Sequence, residues 1–573
     1  MSRTLWSVLE ATASKYPEKI ALKQPAGDGS YRTWTWREYA DTVKEIAVGL
    51  RELGIAKGDM VALASETRAE FYLADIGILA TGAIAAALYT SLPYAEQAKT
   101  LIACDARCVF VENEKVRQTL DAAAAKAKEF EWILLKGDSA FMTLDKIRAM
   151  GAEKLKSDPD SFSRITQSFD DSATAVLYMT SGATGEPKMG LVTHHAIVRN
   201  IEMGPIVLPL SPEDTTIAFL PSAHIAQRVV VEYLPILEGA CVVFSEGLQK
   251  LPHEFKSVKP TFVLAPPRVW ERVFSSISTE IKKRPAAIRK LFYAGVGIGA
   301  EGSRLRQQNK PVPVWMRASL SFFNRVIFSK IRERLGGRIR IAASGAAPLG
   351  KDLSEFFAAI GLPLIEGYGL TEGGVSMLNP IERPKAGSIG KLLPCYEARI
   401  EDDGELMLKG PCIFSGYYKD PEATAAVLRD GWLATGDIAQ EDSEGYFYIT
   451  GRKKEIIVAS NGKKIYPARI EAMLKREPSI SQVLLVGDKL PFVTALFTVT
   501  GSPSETGEAV AKIVKQTNRE LSAFEQIRKF KILDRDFSIE RGELTPTMKL
   551  RRARVLENYR DLIGEMYLGR EID

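Results

Sequence analysis

The sequence predicts an α/β protein: a large N-terminal domain of α/β subdomains with a β-barrel subdomain, then a small α+β domain at the C-terminus. Three observations lead there. Helix-like and strand-like periodicities alternate through the first part of the chain, the pattern of a mostly parallel sheet covered by helices. From about residue 385 short strands and glycine-rich turns take over, and from about residue 453 a helix, strand, strand, helix order begins. The 573 residues exceed one ordinary core and imply two to four domains. A content of 46% hydrophobic and 26% charged residues belongs to a globular chain, not a disordered or membrane-spanning one.

In chain order, residues 36–54 (WREYADTVKEIAVGLRELG) set apolar groups at helical spacing and stop at a glycine. DMVALAS (59–65) and RCVFVEN (107–113) read as short buried strands. Residues 76–95, the longest uncharged stretch, are interrupted by Gly77, Gly82, Thr90, Ser91 and Pro93. A buried helix running into a strand is therefore expected there, not a bilayer span. The low-complexity run DAAAAKAKEF (121–130) is expected to be an exposed helix. Further strands are expected at 175–179, 216–221, 241–245, 261–267 and 339–344, each ending near Gly, Pro or Ser. Such strand ends are where open α/β sheets bind ligands. The β-rich subdomain is placed at about 385–452, with a hairpin signal at Asp403-Gly404.

Five cysteines, Cys104, Cys108, Cys241, Cys395 and Cys412, show no CxxC spacing, so neither a disulfide framework nor a zinc site is expected. The first residues, MSRTLWSVLEATASKYPEK, lack the apolar run of a signal peptide, and a cytoplasmic protein is expected. Net charge is only +5, but residues 281–340 carry 15 Lys or Arg against Glu301 and Glu333, or +13, leaving −8 for the remainder. Bulky groups lie among these cations: Leu291-Phe292-Tyr293, Trp315-Met316 and Phe322-Phe323. That mixture suits peripheral contact with the inner surface of an anionic membrane, and it equally suits a solvated helical insertion. No nucleic-acid partner is expected.

The chemistry concentrates in YMTSGATGEPKMGLVTH (178–194), a strand, a small-residue loop, a lysine and then an expected helix. Small residues let backbone N–H groups approach phosphate oxygens; Thr180, Ser181 and Thr184 add hydroxyls and Lys188 a positive charge. Taken alone the segment could also be an ordinary loop, and it lacks the Gly-Lys-Ser/Thr order of a Walker loop. Gly297-Ile-Gly299-Ala-Glu-Gly302 satisfies GxGxxG, but no strand precedes it and no acid lies about 20 residues on, so dinucleotide binding is rejected. No GxSxG nucleophile elbow is present.

The 178–194 segment resembles the phosphate loop of the adenylate-forming (AMP-binding) superfamily, which includes acyl-CoA synthetases, luciferases and peptide-synthetase adenylation domains. The usual form is Tyr-Thr-Ser-Gly-Thr-Thr-Gly-x-Pro-Lys-Gly; here Ala183 replaces a Thr, and Met189 stands where Gly is usual, with Gly190 one place later. The resemblance gives Thr180, Ser181, Gly182, Ala183, Thr184, Gly185 and Lys188 to nucleotide binding. It extends to SGAAP (344–348), with Gly345, Ala346 and Ala347, and to EGYGLTE (366–372), with Glu366, Gly367, Tyr368, Gly369, Thr371 and Glu372. These resemble the elements that hold adenine and the α-phosphate, and Glu372 with Thr180 would hold Mg²⁺. GWLATGD (431–437) brings Asp437 for the ribose, GRKKE (451–455) brings Arg452, and GELTPTMKL (542–550) brings Lys549 for adenylation. Singly, Asp437 could be a turn residue and Lys549 one cation among Arg551, Arg552 and Arg554. Five motifs in the family's order argue jointly against that.

By the same resemblance the N-terminal adenylation domain covers 1–452 and a mobile C-terminal lid covers 453–573, turning about Lys454. Thr180, Glu372 and Lys549 are the expected catalytic residues. FLPSAHIAQR (219–228), with His224 beside the acyl pocket, APPRVWERV (265–273), NGKKIYP (461–467) and an insertion at about 275–338 resemble the long-chain fatty acyl-CoA synthetase subgroup. The implied enzyme is an AMP-forming acid–thiol ligase of fatty acid metabolism. It uses ATP, Mg²⁺ and coenzyme A to make acyl-AMP, then acyl-CoA, AMP and pyrophosphate. The alternatives are an acyl- or aryl-adenylating enzyme delivering to a carrier-protein thiol, a luciferase-like oxidase, or a catalytically silent nucleotide- and lipid-binding relative.

Overall fold

The computed structural model of the chain describes residues 3–124, 128–137, 140–181, 187–459, 462–477, 479–545 and 548–568. Its contacts divide it into two compact units. The first holds the chain up to Thr180, Pro187–Ala398 and Leu408–Leu433; the second holds Arg399–Met407 and the chain from Ala434 onward.

Two sheets organise the first unit. Among the described residues one has nine strands, in the order Lys391–Leu392, Gly374–Leu378, Leu364–Leu370, Ile341–Ser344, Phe262–Ala265, Thr215–Ala218, Cys241–Phe244, Ile20–Pro25, Tyr31–Thr35. The other has eight, in the order Gly416–Tyr417, Pro187–Thr193, Thr174–Ser181, Ile84–Ala87, Met60–Ala64, Cys108–Val111, Glu131–Leu134, Met142–Thr143. Their central pairs are parallel, such as Ala342↔Leu364 and Leu63↔Ala87. Both faces are covered, which is why these strands are runs of Val, Ile, Leu and Ala without polar alternation. Met60–Ala64 and Cys108–Val111 are buried throughout.

Helix Trp36–Glu52 starts at a capping box: Thr35 Oγ1 accepts from Glu38 N, and Glu38 returns a carboxylate oxygen to Thr35 N at 2.7 Å. It packs on helix Leu144–Ser157 so closely that a Cβ at Gly151 would stand 1.9 Å from Glu45 O. Residues 76–95 behave as expected: the wholly buried helix Ala69–Ala80 is followed by strand Ile84–Ala87. Among the described residues no helix is long and apolar enough to cross a membrane.

The rejected GxGxxG lies inside helix Ala286–Gln307. A Cβ at Gly299 would stand 2.2 Å from Ala359 O, and one at Gly295 would stand 2.7 Å from the Phe323 ring, while Gly297 faces open space. Close helix packing, not a ligand, explains glycine at 295 and 299.

In the second unit, strands Ile480–Val486, Val493–Val499 and Ile527–Ile532 form a sheet whose apolar side meets helices Pro467–Leu474 and Pro503–Glu520 around Ile470, Leu485, Phe497 and Val510. Strand Phe447–Arg452 pairs antiparallel with the chain at 437–441.

Candidate active site

Strand Thr174–Ser181 enters the site from the core. Ala175, Val176, Leu177 and Tyr178 are buried, and Thr180 near its end is half-buried. Gly182, Ala183, Thr184 and Gly185 lie outside the described residues. After the loop the chain departs from the sequence reading. Lys188 does not lead straight into a helix but lies on strand Pro187–Thr193, and only then does helix His194–Ile201 begin, capped by Thr193. The sheet supplies the physical reason: this strand lies between Thr174–Ser181 on one side and the short strand Gly416–Tyr417 on the other, which pairs with Leu191 and Gly190. Ser415 N donates to Leu191 O at 2.8 Å and Tyr418 N to Met189 O at 2.7 Å. The backbone groups of 189–191 are thereby satisfied in a ladder instead of in a helix.

That pairing assembles a charge cluster. Lys188 Nζ stands 4.8 Å from the centre of the Tyr417 ring, and the Tyr417 hydroxyl donates to Glu372 Oε1 at 2.6 Å. Burial, then the Glu372 charge, push the Tyr417 pKa up, so the phenol keeps its proton and remains a donor. Phe414 N donates to Glu372 O at 2.9 Å. A Cβ on Gly190 would stand 3.6 Å from Thr371 Cγ2, so Lys188, Thr371 and Glu372 are brought together.

Strands Ile341–Ser344 and Leu364–Leu370 run parallel with Ser344 beside Glu366, so SGAAP and EGYGLTE emerge side by side. Ala346, two residues past the end of the first strand, has φ 68, a left-handed conformation uncommon for a residue with a Cβ. At Gly369 a Cβ would stand 2.4 Å from Gly374 O, so only glycine fits beside the half-buried Tyr368. Glu366 turns inward: it is 5% exposed, its Oε1 accepts from Leu349 N at 2.9 Å, and burial pushes it up to about 8. Its side chain thus ties the segment after Ala347 to the neighbouring strand.

His224 lies in the turn after strand Thr215–Ala218. Its Nδ1 accepts from Ala226 N at 3.2 Å, which leaves the ring proton on Nε2 in the neutral form. The next turn, Gln227–Tyr233, is a buried π-helix. There Arg228 pairs with Asp75, and Tyr233 Oη donates to Asp75 Oδ2 at 2.8 Å. The Arg228 guanidinium also stands 5.4 Å from the Tyr178 ring. One buried network therefore links the His224 turn to the strand that ends near Thr180.

In the second unit Asp437 and Arg452 face each other across a strand pair, with Arg452 Nε donating to Asp437 Oδ1 at 2.9 Å. Asp437 is 4% exposed while Arg452 reaches solvent. Lys454 is exposed in the turn Lys453–Glu455, whose Lys453 pairs with Asp403 and Glu405 at 2.5 and 2.6 Å. Lys549 is exposed on a tight loop: Thr545 N donates to Lys549 O at 2.8 Å and Lys549 N to Thr545 Oγ1 at 3.0 Å. The loop hangs from Glu543, which is fully buried against both Arg535 nitrogens at 2.8 and 2.7 Å and Asn558 at 3.1 Å. Burial raises the Glu543 pKa, but these donors outweigh it and hold the carboxylate below its ordinary value.

The profile of the AMP-binding enzymes matches residues 9–418, and that of the AMP-binding enzyme C-terminal domain matches 454–571. The chain belongs to the AMP-binding enzyme family. Among its relatives FadD15 of Mycobacterium bovis, a long-chain-fatty-acid–CoA ligase, is 34% identical over 567 residues, covering 94% of this chain and 93% of its own length. ACSBG2 of Xenopus laevis, which bears the same enzyme name, is 28% identical, covering 98% of this chain and 84% of its own. The fold matches the anthranilate CoA ligase AuaEII in complex with anthranoyl-AMP, with TM-score 0.76 and 19% identity over 98% of each chain. It also matches ATP-bound MatB from Rhodopseudomonas palustris, with TM-score 0.74 and 21% identity over 98% of this chain and 100% of the other.

Two features of this AMP-binding enzyme escape a linear reading. Tyr417 sits in SGYYKD, which carries no periodic signal, and meets Glu372 45 positions away only through strand pairing. Asp75 and Arg228 are 153 positions apart. A lone acid inside the otherwise apolar helix Ala69–Ala80 beyond its first turn was the available signal for a buried pair.

Proposed function

We infer that the chain is an AMP-forming acid–thiol ligase: it activates a long-chain fatty acid with ATP as acyl-AMP, then transfers the acyl group to coenzyme A. The observation that carries this reading is the 34% identity to a ligase of that name along 94% of the chain. A carboxylate is a poor acyl donor because its leaving group would be an oxide. Attack of its oxygen on the α-phosphate of ATP expels pyrophosphate and yields an anhydride from which AMP leaves easily. Such chemistry asks for positioning and charge neutralisation. Lys188 and Thr371 suit the phosphates, and Tyr368 suits the purine face. Asp437, oriented by Arg452, suits the ribose hydroxyls, and Lys549 suits the charge that builds during adenylation. Lys454 is the proposed pivot between the two half-reactions, with the lid at 453–573 turning about it.

Magnesium fits the donor set. The ion takes hard oxygen ligands alongside substrate phosphates, and Glu372 supplies such a carboxylate at the Tyr417 ring that Lys188 also faces. Glu372 and Thr180 would hold it, and it would neutralise charge on the phosphates.

His224 is proposed to lie beside the acyl pocket. Burying about a dozen methylenes at ~0.8 kcal/mol each is worth roughly 10 kcal/mol, enough to select long chains. Incubating the protein with ATP, magnesium, free coenzyme A and fatty acids from medium to very long chain tests the reading. Long-chain acyl-CoA with stoichiometric AMP is expected; acyl-AMP that never reaches coenzyme A would overturn the acceptor, and no fatty-acid-dependent pyrophosphate would overturn the ligase.

The basic segment 281–340 supports peripheral membrane contact. Its cations are joined by exposed Ile288, Leu291, Tyr293, Val314, Trp315 and Phe322, with Trp315 61% exposed and Val314 75%. Cations beside unburied apolar groups match an anionic bilayer surface. Binding to phosphatidylglycerol vesicles should weaken as salt rises and fall in the double variant Val314→Ser, Trp315→Ser. Equal affinity for neutral vesicles would refute it.

A further inference from the structure

Five thiols are present, and the structure separates them into two kinds. Cys108 and Cys241 lie in strands and Cys104 caps the end of helix Tyr94–Ala103, and burial pushes Cys104 and Cys241 up to about 11 and Cys108 higher still. Such thiols are inert. Cys395 and Cys412 are different. Their Sγ atoms stand 3.6 Å apart, Cys395 half-buried and Cys412 2% exposed. The two chain segments are pressed together there: a Cβ on Gly410 would stand 2.7 Å from Cys395 O. The hydrogen bond with Cys412 holds the Cys395 thiol below its ordinary value, while Cys395 and then burial push Cys412 up. Cys395 is therefore the sulfur that an oxidant reaches first.

Both segments hold the glutamate of the site. Tyr396, next to Cys395, donates its hydroxyl to Gly373 O at 2.6 Å, one residue past Glu372. Phe414, two residues past Cys412, donates its N–H to Glu372 O at 2.9 Å, and its ring meets Tyr417 at 4.9 Å. A disulfide needs the sulfurs about 2.05 Å apart, so closing it draws the two segments or their side chains together by about 1.5 Å.

We propose that Cys395 and Cys412 are a redox modification site, closing to a disulfide that displaces Glu372 from its active position. The oxidant is a low-molecular-weight disulfide such as oxidised glutathione. Cys395 thiolate attacks one of its sulfurs, forming a mixed disulfide and expelling one glutathione thiolate. Cys412, giving up its proton, attacks the Cys395 sulfur and expels the second. Two electrons pass to the oxidant, and the two cysteine protons end on two glutathione thiols.

The test uses the full chain. After incubation with oxidised glutathione, free thiols are alkylated under denaturing conditions and the protein is digested without reductant. The expected result is a linked peptide joining Cys395 to Cys412, two fewer alkylated thiols, and fatty-acid-dependent pyrophosphate release lowered on the order of tenfold, since misplacement by an ångström can cost more. Dithiothreitol should restore it. Cys412→Ser should keep basal activity and stop at glutathione on Cys395. The peptide readout does not depend on the ligase reading; the activity readout rests on it. The proposal fails if no linked peptide forms, or if it forms and the activity of an otherwise competent ligase is unchanged.

Discussion

Glu366 shows how burial rewrites a single residue. Its folded pKa, raised to about 8, lies above the ordinary carboxyl value, so the folded protein holds a proton there that the unfolded chain releases. The stabilising contribution is complete below the unfolded value and is lost as pH rises through about 8. At 1.36 kcal/mol per unit, this costs roughly 3 kcal/mol between pH 5 and pH 8. Urea unfolding at both pH values should show Glu366→Gln gaining stability relative to the parent as pH rises; parallel pH curves would remove the assignment. Tyr417 is the matching case at the site. Tyr417→Phe keeps the ring near Lys188 but deletes the hydrogen bond to Glu372. Bonds to charged groups are worth about 1.5–3 kcal/mol, so ATP–pyrophosphate exchange should fall about tenfold or more without loss of fold by circular dichroism.

Among elements, helix Ala286–Gln307 separates glycines that packing requires from those it does not. Gly299→Ala puts a methyl group 2.2 Å from Ala359 O and should destabilise by about 1–3 kcal/mol in urea unfolding. Gly297→Ala meets nothing within 4 Å and should stabilise by about 0.5–1 kcal/mol through helix propensity. The same contrast explains what could be read linearly. Helix Trp36–Glu52 was legible because its period and its glycine stop are both local. Strand Pro187–Thr193 was not, because one of its two ladder partners, Gly416–Tyr417, lies more than 200 positions away, and a glycine-rich loop before a lysine also precedes helices.

For the whole molecule, the two half-reactions should respond differently to one substitution. Lys549 belongs to the second unit and is given to adenylation alone. Lys549→Ala should depress acyl-AMP formation by about a hundredfold or more, the scale of losing one preorganised charge contact, while thioester formation from supplied acyl-AMP changes little. Equal losses in both steps would contradict the assignment.

Local order carried the α/β class, the strand sites and the five motifs, because periodicity, capping and short-range spacing are properties of neighbouring residues. It placed Glu372, Lys188, Asp437 and Lys549 in the chain, but not what surrounds them. The Tyr417 hydrogen bond, the Arg228–Asp75 pair, the inward turn of Glu366 and the contact of Cys395 with Cys412 emerged only in three dimensions. Sheet register and packing bring such residues together across long separations, and no local pattern encodes a register.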